Sequence, residues 1–300
     1  MKERFIYVLT EEDENISIKS ILRRRLQLSS RLIRQLILCD GVHLNGAWVH
    51  LKSRGIKSDV LTVKMPEETS YFEPEDIPIQ VVFEDKNLLV VNKQPGIVVH
   101  PTRGHPTGTM ANGIAKYMEE KGDGYKIRFI NRLDRDTSGI LLIGKNSFMQ
   151  DHLSDQMRKG ETEKYYIAVV KGHPDRNQGT IDLPIGRPIE GDIRRQVMEG
   201  GSPSITRYKV LKRFARGDSL VELNLVTGRT HQIRVHMSFI GHPVMGDSLY
   251  GMEEEGLINR QALHSAAFIC NHPVSGERLV LKAPLPADMA LLIERLDGGL

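Results

Sequence analysis

The 300-residue chain has only two cysteines, Cys39 and Cys270, and they lie far apart. Two isolated thiols make no disulfide framework and predict a reducing, cytoplasmic setting. No apolar run approaches the length of a membrane span, and the opening MKERFIYVLTEEDEN lacks the basic-then-apolar order of a secretory leader, so no membrane partner is expected. Neither Gly-x-Gly-x-x-Gly nor the Gly-Lys-Ser/Thr end of a phosphate loop occurs, and the glycines therefore imply no nucleotide cofactor. Internal repeats are missing, which excludes a solenoid. Charge of one sign is also scarce. The net charge is only +3, too little for the chain as a whole to indicate a polyanionic partner.

What is present in excess is local. Residues 21–57 hold Arg23, Arg24, Arg25, Arg31, Arg34, Lys52, Arg54 and Lys57 against the single acid Asp40. Such a segment on a mildly acidic chain is the footprint of a part that meets a phosphate backbone, although an arginine-rich helix is also an ordinary solvated face.

Hydrophobic periodicity divides the chain. Ile18, Ile21, Leu22 and Leu26 recur at helical spacing, as do Leu32, Ile33, Leu36 and Ile37, which predicts two short helices within 16–38. Ser29 or Ser30 can cap the second, and Asp40-Gly41 ends it. Next, Val42-His43-Leu44 and Ala47-Trp48-Val49 flank Asn45-Gly46, a pair that tolerates the positive φ angles of a type I′ turn, and Val60, Leu61 and Val63 supply a third strand. Residues 66–78, PEETSYFEPEDIP, concentrate proline and acid and read as a linker. The expected division is a small domain over 1–66, a linker over 67–78 and a body over 79–300. Strands are expected in the body at 79–83, 87–91, 140–143, 165–170, 206–211 and 220–225, with a helix near 109–118. So many strands with few helices between them favour an α+β fold over a doubly wound one.

The densest chemistry lies at residues 130–139, INRLDRDTSG, where Asp134 stands between Arg132 and Arg135 just before an apolar run. Taken alone, that pattern is a structural ion-pair network as readily as a catalytic carboxylate. It is accompanied, in order, by four other blocks. Before it come Glu84-Asp85, Asn92-Lys93, Pro95-Gly96 and Val99-His100-Pro101. After it come Lys164, Tyr166, Ala168, Val170 and Gly172 in alternation, then 227–236, TGRTHQIRVH, with Gly241-His242-Pro243, Gly246-Asp247 and Tyr250-Gly251. Leu263-His264, His272-Pro273 and 283–286, APLP, close the series.

Together these blocks resemble the RluA-type RNA pseudouridine synthases, which isomerise uridine in RNA. The helix–helix–hairpin segment, with Ser30-Arg31 and Asn45-Gly46, resembles an S4 RNA-binding domain. The resemblance implies a body built on a mixed, mainly antiparallel sheet, no cofactor and no metal. The implied partner is structured RNA, with large-subunit ribosomal RNA ahead of transfer RNA, and the implied enzyme is bacterial and monomeric. Asp134 would be the catalytic carboxylate, and Arg234 the guanidinium that keeps it ionised on burial. Tyr166 would stack on the extruded uracil and Ile233 would pack against it. Arg132 would fill the vacated space or clamp adjacent phosphates, and Arg23, Arg24, Arg31, Arg34 and Lys52 would contact RNA.

Two positions depart from the family pattern. Asn131 stands where the family carries histidine, and it can hydrogen-bond locally but gains no proton. Ser202 follows Gly201 where Gly-Lys is common, which removes a phosphate contact. A non-catalytic RNA-binding or ribosome-assembly protein accounts for the basic segment and leaves the carboxylate, tyrosine and arginine set without a purpose. A nucleoside hydrolase would share the glycosidic bond, yet no aspartate cluster for metal-assisted hydrolysis is evident. His231, His236 and His242 match no closed zinc spacing, and on a strand His231 and His236 would face opposite ways. His231 is expected to fix the loop before Arg234 through hydrogen bonds.

Overall fold

The computed structural model describes residues 3–66, 68–102, 104–251 and 257–298, so Glu67, at the head of the expected linker, and both chain ends lie outside the described residues. β1 (Glu3–Val8), which periodicity did not reveal, precedes α1 (Ile18–Arg24) and α2 (Ser30–Leu38). Ser17 and Ser29 cap these helices by accepting from the backbone N–H groups of Ser20 and Leu32. The apolar faces of both helices meet in a small core. β2 (Val42–Leu44) and β3 (Ala47–Trp48) turn through Asn45 at φ 51° and Gly46 at φ 82°, as a type I′ hairpin requires. β4 (Val60–Lys64) completes a sheet of order β1-β4-β2-β3.

The positive charge of this unit is partly neutralised by acids that precede the basic segment in sequence. Arg25 pairs with Glu12 and the buried Asp13, and Lys57 pairs with Glu11. Residues 68–80 carry neither helix nor strand, yet they are tied down. Glu75 accepts from the Gly108 N–H, and the Asn112 amide donates to the Glu73 carbonyl.

The remaining elements are β5 (Val81–Glu84), β6 (Leu88–Lys93), α3 (Met110–Lys121), β7 (Arg128–Phe129), β8 (Ser138–Gly144), α4 (Ser147–Lys159), β9 (Glu163–Lys171), β10 (Gln178–Asp182), β11 (Ile185–Gly186), β12 (Gln196–Val197), β13 (Ile205–Arg213), β14 (Asp218–Leu225), α5 (Gln232–Phe239), β15 (Leu263–Asn271), β16 (Arg278–Lys282) and α6 (Ala287–Leu296). Among the described residues, ten strands form one sheet whose main path is β10-β13-β14-β9-β15-β8-β6-β5, with β16 beside β15 and β7 beside β8. Among the described residues, only the β15–β8 pair of this sheet is parallel. The chain thus adopts the expected α+β class with a mixed, mainly antiparallel sheet.

Burial on both faces explains the unbroken apolar run at 140–143. Leu141 and Ile143 join Leu89 and Val91 in the core that also takes side chains from α3 and α6, whereas Ile140 and Leu142 join Leu88 and Val90 against α4. α4 also carries the small unit. Phe148 enters the small unit's core, edge-to-face with Phe5 at 4.5 Å, and His152 Nε2 lies 3.1 Å from the Gln27 carbonyl. The HQIRVH block, to which the sequence assigned no element, is helical. Its short apolar pattern is compatible with either period, and packing of Ile233 and Met237 into the main core decides for α5.

Three central strands meet at the Tyr166–Ser265–Gly139 register. Gly139 has φ +112°, and a Cβ there would lie 2.2 Å from the Ser265 carbonyl oxygen. Gly139→Ala is therefore expected to destabilise the chain by about 3 kcal/mol. Urea unfolding checks this, and an unaltered midpoint would mean that β8 and β15 separate freely.

Candidate active site

Asp134 sits on the loop between β7 and β8, Tyr166 on β9 and Arg234 on α5, and all three line one cavity of about 530 Å³. The arginines flanking Asp134 in sequence are not its partners. Arg135 pairs with Asp136 at 3.1 Å, and Arg132 stands exposed on the cavity wall with no acidic partner among the described residues. Instead Arg234, 100 residues away, donates from Nη1 to Asp134 Oδ2 at 3.0 Å. Its Nε and Nη2 form a fork on the fully buried Asp247, at 2.7 and 2.8 Å. Burial alone would lower the Arg234 pKa, but the hydrogen bonds and charge of Asp247, with Asp134 added, raise it above its ordinary value.

Asp247 also accepts from the backbone N–H groups of Leu249 and Tyr250, so the 247–250 turn fixes the fork. Asp134 Oδ1 has no protein donor among the described residues. One carboxylate oxygen is held and the other is open.

His231 begins α5 at φ 57°. The Tyr250 hydroxyl accepts from the Arg195 N–H at 2.8 Å and lies 2.8 Å from His231 Nδ1. Donation of the hydroxyl proton to Nδ1 leaves Nε2 as the ring N–H, 3.8 Å from Asp134 Oδ2 and beyond hydrogen-bond range. Burial lowers the His231 pKa below its ordinary value, against the pull of Asp134.

Tyr166 is buried, while Tyr165 on the opposite face gives its hydroxyl to Glu163. Burial pushes the Tyr166 hydroxyl up to about 12 despite a hydrogen bond with Ser265, so the phenol stays neutral. Ile233 belongs to both the cavity wall and the main core. Arg23, Arg24, Arg31, Arg34 and Lys52 are all exposed on the small unit and do not line this cavity. Asn131 donates to the Ile140 carbonyl at 3.0 Å and accepts from the Leu142 N–H at 2.8 Å, anchoring the Asp134 loop to β8.

Four residues around this loop were assigned no role from the sequence. Lys93 is fully buried and donates to the carbonyls of Gln94, Ile97 and Arg135 at 2.8–2.9 Å. Burial draws its pKa down to about 7, while three carbonyl acceptors favour the ammonium, whose three protons match them. Arg260 donates to the Asp136 carbonyl at 2.9 Å while forked on Asp288 of α6 at 2.6 and 2.9 Å. Two consecutive carbonyls of the loop are thus each held by a buried cation. Lys93, Asp247 and Tyr250 stood within motifs that could have flagged them. No spacing marked Arg260.

The remaining histidines are absorbed structurally. His236 bonds the Thr206 hydroxyl and the Leu183 carbonyl, and His242 bonds the Lys171 carbonyl. Among the described residues no group of three or more His, Cys, Asp or Glu is placed to hold a metal, and no helix is long and apolar enough to cross a membrane.

Asp247→Ala leaves Arg234 with an unmatched buried charge and is expected to cost about 3–5 kcal/mol. Arg132→Ala, at an exposed unpaired position, should change stability by less than about 0.5 kcal/mol. Parallel urea titrations compare them, and equal effects would remove the fork from its structural role.

The family profile described as RNA pseudouridylate synthase matches residues 87–239, which include Asp134, Tyr166 and Arg234. A Bacillus subtilis (strain 168) protein named "Uncharacterized RNA pseudouridine synthase YjbO" is 41% identical over 273 residues, covering 90% of this chain and 95% of that protein. "Ribosomal large subunit pseudouridine synthase D" of Escherichia coli (strain K12) is 38% identical over 241 residues, covering 76% of this chain and 73% of the relative. Among solved structures, "Human RNA Pseudouridylate Synthase Domain Containing 1" superposes with a TM-score of 0.57 at 27% identity, covering 74% of this chain and 95% of that one.

Proposed function

The chain belongs to the RNA pseudouridylate synthase family and is an isomerase, and on that premise we propose that Asp134 is the carboxylate that opens the glycosidic bond of a uridine in structured RNA. Large-subunit ribosomal RNA is the substrate we favour over transfer RNA, because the 38% identical Escherichia coli relative is named for that subunit. The observation that carries the catalytic reading is the division of labour on Asp134, with Oδ2 held by Arg234 and Oδ1 open.

An ionised carboxylate so placed has two routes. Oδ1 adds to C1′ as the C1′–N1 electron pair leaves with the uracil, or it takes the C2′ proton to give a glycal as N1 leaves. In both, the freed uracil turns and C5 bonds to C1′, expelling Oδ1 with its electron pair in the first route and adding across the C1′=C2′ bond in the second. The C5 hydrogen is lost as a proton, N1 regains one, and any C2′ proton is returned. Uridine and pseudouridine are isomers, so there is no net oxidation or reduction and no redox partner is needed. A stacked or paired uridine must first be extruded. Arg132 fills its place or clamps an adjacent phosphate, and Tyr166 with Ile233 forms the wall on which the base lies.

The two-helix and hairpin arrangement of the small unit supports reading residues 1–66 as an S4-like RNA-binding domain, joined through 67–78 to a catalytic domain over 79–300. Its exposed Arg23, Arg24, Arg31, Arg34 and Lys52 then meet phosphates.

Pseudouridine mapping across total RNA, from cells with and without the protein, identifies the substrate. On that RNA, Asp134→Asn is expected to lower single-turnover yield by about a thousandfold or more, with circular dichroism and RNA binding retained. Substantial product from this variant would overturn the assignment. Tyr166→Phe should keep RNA binding, and Tyr166→Leu should lose more activity. If tritium release from 5-tritiated uridine RNA matches wild type in both, Tyr166 is a core residue only.

A further inference from the structure

A second cavity, of about 690 Å³, adjoins the first. Arg31 and Gln35 of α2 form one wall, Lys126 and Phe129 at β7 form another, and His100 lies between them. Arg132 and Leu133 line both cavities, so the two are continuous over the Asp134 loop. Arg31, Lys126 and Arg132 are exposed and have no acidic partner among the described residues. Of the acids in the wall, Glu68 is bound to Arg128, which leaves Asp151 as the opposing charge. The exposed His100 ring packs edge-on against Phe72 at 5.3 Å and Phe129 at 6.1 Å, which sets an aromatic surface among the cations.

The walls are fixed relative to each other. Phe148 inserts into the small unit's core beside Phe5, and His152 reaches the Gln27 carbonyl. Cations interleaved with rings, in a groove open at its catalytic end, suit a polyanion with flat bases.

We propose that this groove holds the single-stranded RNA flanking the target uridine, with phosphates on Arg31, Lys126 and Arg132 and one base against the His100 and Phe129 rings. The strand leaves the Asp134 cavity over Arg132 and runs toward α2. The proposal rests on the reading of that cavity as a uridine site and adds where the neighbouring nucleotides lie. It gives the small unit a specific task, as one wall of a shared strand-binding groove.

The test uses the full chain and 5′-fluorescein oligouridylates of about 4 and about 12 nucleotides, followed by anisotropy across a salt series. Wild type should bind the longer strand about tenfold more tightly. Arg31→Ala with Lys126→Ala should lower the salt slope for the longer strand by about 1.4, two single-strand phosphate contacts at about 0.7 each, and leave the shorter strand unchanged. Arg176→Ala with Arg216→Ala removes the same charge near β10 and the β13–β14 turn, at the opposite edge of the sheet, and should keep the wild-type slope.

Equal binding of both lengths by wild type, or equal slopes for the two double variants, would overturn the groove. Pseudouridine yield on total RNA, measured alongside, separates the two readings. Yield retained with unchanged slopes removes the groove and keeps the uridine site, whereas no yield from wild type removes that reading and this one with it.

Discussion

One guanidinium shared between two carboxylates is the interaction on which this site depends. Taking Arg234, Asp247 and part of Asp134 out of water is costly, and the cost is offset only if geometry satisfies nearly every polar atom. Asp247 meets that condition, accepting a two-pronged fork and two backbone N–H groups. Because the guanidinium is planar, fixing two of its nitrogens fixes the third, and Nη1 is thereby aimed at Asp134. A lysine could supply the charge without the direction. The same three residues join α5, the 247–250 turn and the Asp134 loop, so their electrostatics also order three segments distant in sequence.

The loop itself is held from beneath. Asn131 fastens it to β8, and Lys93 and Arg260 grip the consecutive carbonyls of Arg135 and Asp136. β8 is a firm base because both of its faces are buried and Gly139 lets β15 approach closely. A loop this constrained can present a half-exposed carboxylate without collapsing onto the cations nearest in sequence. Arg135 is occupied by Asp136, and Arg132 is exposed with no acidic partner among the described residues.

Where local chemistry decides, the sequence was readable. The Ser29 cap, the Asn45-Gly46 turn and the apolar run at 140–143 each follow from residues within a few positions of one another, and all are present. Where distant groups decide, it was not. Arg25 and Lys57 counted as free charge until Glu11, Glu12 and Asp13 folded onto them. α5 could not be told from a strand over so short a block, and α6 reaches the site only through the Asp288 and Arg260 fork. The Asp134–Arg234 pair is an intermediate case. Spacing favoured Arg132 or Arg135 as the partner, and only the resemblance to a known family pointed to the arginine 100 residues away that makes the contact.

On the proposed reading of the Asp134 cavity as a uridine site, the site faces an electrostatic conflict, because each phosphate brought near repels the carboxylate. The distribution of cations answers it at two depths. Arg234 lies beneath the carboxylate, shielded from salt and permanently charged, and it holds Oδ2 from the side away from the open cavity. Arg132 and Arg229 line the same cavity at exposed positions without an acidic partner among the described residues, and Arg158 beside them is paired with Asp155. Separating the two groups lets affinity rise through the outer cations without drawing the inner one away from Asp134. Global charge says little about this, since +3 for the chain is compatible with a cavity whose cations outnumber its single carboxylate.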